Sequence, residues 1–119
     1  DARPVIASLQ NRNRLLIQLK ALSDGGEIQL GGRGIAKPGF ERAASKYSDR
    51  YNGISDKSGY NVFTQNLWYM GKLIGEGKMP SLKRLIDHQQ EFIRAFEEIV
   101  ERPNEQEEAL RSMAIRCLA

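Results

Sequence analysis

Apolar positions recur at helical spacing along most of the chain. From Pro4 to Ser23, Val5, Leu9, Leu16, Leu19 and Leu22 fall three, four or seven apart, the signature of one helix face. Pro4 suits a first turn, where its missing N–H would be unpaired anyway, and Gly25-Gly26 predicts the stop. Gly25 to Gly39 is glycine-rich. Within it Glu27-Ile28-Gln29-Leu30 alternates polar and apolar before Gly31-Gly32, which predicts a small hairpin or an ordered loop. From Pro38 to Tyr51 the apolar set Phe40, Ala43, Ala44, Tyr47 and Tyr51 predicts a short helix stopped by Asn52-Gly53. A fourth helix is expected from an N-cap at Ser58 to about Ile74. Its Tyr60, Phe63, Leu67, Trp68, Met70, Leu73 and Ile74 run around much of the circumference, which marks it as the central, most buried helix.

The clearest stripe follows Pro80-Ser81: Leu82, Leu85, Ile86, Phe92, Ile93, Phe96, Ile99 and Val100, running to about Arg102. Pro103 opens a last helix. Glu105, Glu107 and Glu108 near its start complement the positive end of the helix dipole. The expected fold is all-α, a compact bundle of about five helices with one glycine-rich loop or small hairpin after the first. Residues 1–119 read as a single helical domain, a fragment of a longer chain.

Composition fits this. The chain is 40% hydrophobic and 28% charged, ordinary values for a folded domain. Cys117 is the lone cysteine, which excludes an internal disulfide and favours a reducing, cytoplasmic setting. No apolar run reaches the roughly 20 residues of a membrane helix.

Catalytic chemistry finds few candidates. Cys117 and His88 alone cannot build a zinc site. His88 lies between Leu85 and Phe92 and reads as a boundary histidine. Glu97, Glu98 and Glu101 alternate with Arg94 and Arg102 as a salt-bridged face. The spacing of Gly26 and Gly31 imitates a phosphate loop, but Gly32 stands where lysine is required. No catalytic residue, metal or cofactor is expected.

Charge is distributed unevenly. Residues 1–60 hold ten Lys/Arg against six Asp/Glu; residues 61–119 hold eight against nine. Arg42, Lys46 and Arg50 fall at i, i+4 and i+8, a spacing that lines one helix face with cations. Arg33 and Lys37 precede them and Lys57 follows. These six are the candidate contacts to a nucleic-acid backbone, across the loop 31–37 and the helix 38–51. Tyr51 or Tyr60 is a candidate base-stacking ring. The competing reading is a solvated face neutralised by Glu41, Asp49 and Asp56. A helix-turn-helix is a further expectation for residues 38–74, with Asn61, Thr64, Gln65 and Asn66 as base readers.

The function expected is thus a non-catalytic domain of a larger DNA- or RNA-processing protein. The alternative is a protein-interaction or assembly module using apolar surface of the C-terminal helices, above all Leu110, Met113 and Cys117.

Overall fold

The structure, a computed structural model, describes residues 1–31, 34–51, 61–74 and 79–118. Helix α1 (Arg3–Asp24) carries Pro4 in its first turn. The Ala2 N–H, left over at that end, donates to Gln106 Oε1 at 2.7 Å. At the other end Gly25 keeps helical backbone and Gly26 turns to φ +76°. The Glu27 N–H then reaches back to the Leu22 carbonyl (2.9 Å) and the Gly26 N–H to that of Ser23 (3.0 Å). This double closure satisfies two terminal carbonyls and needs a residue tolerant of positive φ. It aims the chain back across the helix end, burying Ile28.

The glycine-rich stretch contains the small hairpin. β1 (Leu30–Gly31) and β2 (Gly34–Ile35) pair antiparallel, Leu30 opposite Ile35 and Gly31 opposite Gly34. Two residues per strand are too few to stand alone, and Ile35 leans on a helical core. Helix α2 (Lys37–Lys46) buries Phe40 and Ala43. It stops earlier than its apolar spacing predicts, because Tyr47 leaves helical geometry and a separate 3₁₀ turn, Ser48–Tyr51, follows. Two side chains explain the break. The Tyr47 hydroxyl bonds to Glu27, and Ser48 Oγ donates back to the Ser45 carbonyl at 3.2 Å, competing with helix continuation.

The expected helix from Ser58 to Ile74 is corrected to a 3₁₀ turn, Val62–Thr64, followed by α3 (Leu67–Ile74). Ser58 and the Asn52-Gly53 stop lie outside the described residues. Two asparagines punctuate the segment. Asn61 Oδ1 accepts from the Phe63 N–H at 3.1 Å, and Asn66 Oδ1 accepts from those of Trp68 (2.8 Å) and Tyr69 (3.2 Å). Each caps a new start. Nor is this the central, most buried helix. Met70 is its fully buried residue, while Trp68 is 71% and Tyr69 45% exposed.

The bundle is organised instead by α1 and α4 (Leu82–Glu101), which run antiparallel. Ser81 caps α4, its Oγ accepting from the Arg84 N–H at 3.1 Å. After Arg102 a 3₁₀ turn, Pro103–Glu105, leads into α5 (Gln106–Leu118), with Glu107 and Glu108 in its first turn. The fold is an all-α bundle, 48 × 33 × 21 Å, with two apolar clusters. One joins Leu15, Leu19, Ile28, Phe40, Ala43, Val62 and Met70; the other joins Ala2, Ile6, Ala95, Ile99, Ala109 and Met113. The two halves of α1 serve one cluster each. Between them lies Asn13, 5% exposed, whose Nδ2 donates to the Leu85 carbonyl (2.8 Å) and to Gln89 Oε1 (3.0 Å). Among the described residues no helix is long and apolar enough to cross a membrane.

Candidate nucleic-acid interface

Of the six cations picked out by spacing, Lys37, Arg42, Lys46 and Arg50 are exposed, while Arg33 and Lys57 lie outside the described residues. Lys37 occupies the first turn of α2 with Glu41 at 3.8 Å, both well exposed. A pair of that kind is worth little in water. Arg42 folds back beside Gly39. Lys46 ends the helix. Arg50 follows on the separate turn, so the i, i+4, i+8 row is not carried by one continuous helix. Tyr47 reunites its last two members: Lys46 Nζ lies 5.3 Å and the Arg50 guanidinium 5.2 Å from the ring centroid, within cation–π range.

Beneath them sits Glu27, which charge spacing did not single out. Its Oε1 accepts from Lys46 Nζ at 2.6 Å and from the Tyr47 hydroxyl at 2.5 Å. The Lys46 bond, then that of Tyr47, holds the Glu27 carboxyl below its ordinary range, and Arg50 contributes to this through its charge. The reciprocal bond raises the Lys46 ammonium. A signal existed in the sequence: Glu27 follows directly on Gly25-Gly26, and a double-glycine helix stop throws the next residue back over the helix end. Glu27 Oε2 is buried and has no hydrogen-bond partner.

Glu27 also lines an open cavity of about 500 Å³ at the end of α1, bounded by Gln18, Ala21, Leu22, Gly25, Tyr47, Arg50 and Phe63. That volume is within the about 300–1,000 Å³ usual for ligand pockets. Its walls are mainly apolar, with one carboxylate and one guanidinium at the edge. Phe63 is held by Phe40, ring centroids 5.4 Å apart.

The other sequence candidates fall elsewhere. Asn61 is buried, and Asn61 and Asn66 are committed to backbone caps; Thr64 Oγ1 donates to the Asn61 carbonyl at 3.0 Å. A helix-turn-helix recognition helix is therefore absent from the described residues of this segment. The Tyr60 and Tyr51 rings lie outside what is described. His88 is half-buried against Phe92, and its Nε2 is 3.1 Å from the Cys117 carbonyl. Arg84 reaches the same carbonyl at 3.4 Å, so α4 closes the end of α5. Burial pushes the Cys117 thiol up, the opposite of a reactive thiolate. Glu98 pairs with Arg94 at 3.3 Å. Among the described residues no group of His, Cys, Asp and Glu could hold a metal ion.

The Leu110–Met113–Cys117 stripe is covered, packed in the second cluster. Apolar surface is left on α4, where Ile86, Ile93 and Val100 are 41%, 43% and 55% exposed at seven-residue intervals, and at the end of α5, where Ile115 and Leu118 are 63% and 81% exposed. No family model, curated protein or solved structure matches the chain significantly.

Proposed function

We propose that the chain is a non-catalytic helical domain that contacts a nucleic-acid backbone through residues 31–37, α2 and the turn after it, within a larger DNA- or RNA-processing protein. One observation carries this reading. Arg42 and Arg50 are exposed, and among the described residues neither has a carboxylate within ion-pair distance. Lys46 keeps most of its side chain in solvent although it is paired, so its charge still contributes to the local field.

The test is binding of labelled single- and double-stranded oligonucleotides by fluorescence anisotropy across a salt series. Arg42→Glu with Arg50→Glu replaces neither partner of the Glu27–Lys46 pair, and circular dichroism with thermal melting checks that the fold is kept. Affinity should fall at least tenfold, and the slope of log K against log salt should shallow by about 1–2. Tight binding that ignores both salt and these substitutions refutes the reading.

A second reading, self-assembly, is favoured by the α4 stripe. It is symmetric about Ile93, so an antiparallel second copy would set Ile86 against Val100 and Ile93 against itself. Sedimentation at high concentration decides it: a dimer that Ile93→Glu dissolves supports it, and a strict monomer removes it.

A further inference from the structure

Trp68 is the most exposed of the described aromatic rings, 71% open to solvent, with Tyr69 beside it at 45%. Its backbone is fixed from both sides. Asn66 Oδ1 accepts from the N–H groups of Trp68 and Tyr69, and Met70 anchors the helix in the core. Lys72, one turn on, holds its Nζ 5.2 Å from the Trp68 ring centroid, within cation–π range. With Lys72 over one face, exposure of that size leaves the other face of the indole to solvent.

We propose that this open face stacks one unpaired base of a single-stranded nucleic acid. The inference rests on the nucleic-acid reading above and adds a base contact to its backbone contacts. Two observations favour a nucleotide as the occupant. Charge is the first. Residues 61–74 hold Lys72 and no Asp or Glu, so the ring stands in a positive, carboxylate-free stretch suited to a polyanion. Place is the second. Helix α3 packs against β2, and β2 lies within residues 31–37, which that reading gives to backbone contacts. Lys37 follows Ile35 by two residues. A strand held along β2 and Lys37 therefore passes the helix that carries the ring. Every base has a π-face, so stacking on Trp68 tolerates any sequence but requires a base free of its pairing partner.

Trp68 is the sole tryptophan of the chain, so its fluorescence reports on the contact directly. The experiment titrates the native chain with single-stranded eight-mers of mixed sequence and with a duplex of the same sequence. Indole fluorescence and labelled-strand anisotropy are read together at one salt concentration. Single strands should quench the indole along the same curve as the anisotropy change, and the duplex should bind without quenching. Trp68→Ala should weaken single-strand binding about 5- to 150-fold, the range of one stacked base. It should leave duplex binding and the slope of log K against log salt unchanged. Trp68→Phe should recover part of the loss and Trp68→Leu none of it, since leucine restores apolar area but no ring. Thermal melting checks that the variants keep the fold.

Single strands that bind with the indole unquenched, equal quenching by the duplex, or an affinity untouched by Trp68→Ala overturns the inference. So does an emission shift that grows with protein concentration in the absence of nucleic acid, which would put the ring in a contact between proteins. If binding remains salt-dependent and is lost in Arg42→Glu/Arg50→Glu, the backbone-contact reading survives any of these failures. Absence of binding to every strand overturns both.

Discussion

At the residue scale, two polar side chains hold positions that apolar patterning passes over. Asn13 ties the middle of α1 to the first half of α4, donating to the Leu85 carbonyl and the Gln89 amide oxygen. Asn13→Ala removes both bonds and should cost about 1–3 kcal/mol. Asn13→Asp should cost more. The Gln89 amide can turn its NH₂ toward a carboxylate, but the Leu85 carbonyl cannot, and a buried charge is added. Urea denaturation of the two variants measures the difference, and equal losses would contradict this account. Glu27 predicts a pH dependence. Its carboxyl lies below the ordinary range in the folded chain, so its contribution is complete above about 4.3, the usual unfolded value, and fades as pH falls through the folded one. Lys46 is raised, so its share persists from low pH and is lost only as the medium passes its folded value at the alkaline end. The melting-temperature gap between the native chain and Glu27→Gln should therefore be widest near neutrality and narrow as the pH drops below about 4.

At the element scale, local chemistry decides where helices begin and end. Gly26 has open space around a would-be Cβ, yet its φ of +76° strains any L-residue. Gly26→Ala should lose about 1–2 kcal/mol without a steric clash, and Gly26→Asn less, since asparagine tolerates that region. Thermal unfolding separates this from a packing effect. Much of this architecture was legible. Pro4, Gly25-Gly26, Ser81 and Pro103 are strong punctuation, and the helices they bound appear within two or three residues of expectation. The failures share one cause. Phe63, Leu67, Trp68 and Met70 suggested one long buried helix, because periodicity counts apolar residues and ignores what the polar ones bond to. Asn61 and Asn66 each start the chain afresh, which turns Trp68 outward, beneath Lys72 at 5.2 Å. Charge spacing had the same blind spot. It located Lys46 and Arg50 but not Glu27, a residue 19 positions before Lys46 that folding sets directly against it.

At the scale of the whole molecule, two apolar clusters share a single 22-residue strut, α1. Ile99 is 1% exposed in the second cluster. Ile99→Ala should destabilise by about 2–5 kcal/mol. If the strut couples the clusters, amide exchange should also accelerate at Leu19 and Met70, far from the substitution. Acceleration confined to α4, α5 and the start of α1 would show that the halves open separately. The same strut imposes an order on synthesis. The partners of its second half, Ile28 to Met70, leave the ribosome soon after it. Those of Ile6 include Ile99, 93 positions downstream. The helix then consolidates from its trailing half toward its leading one, against the direction of translation, and Ala2 and Ile6 settle after Leu15 and Leu19.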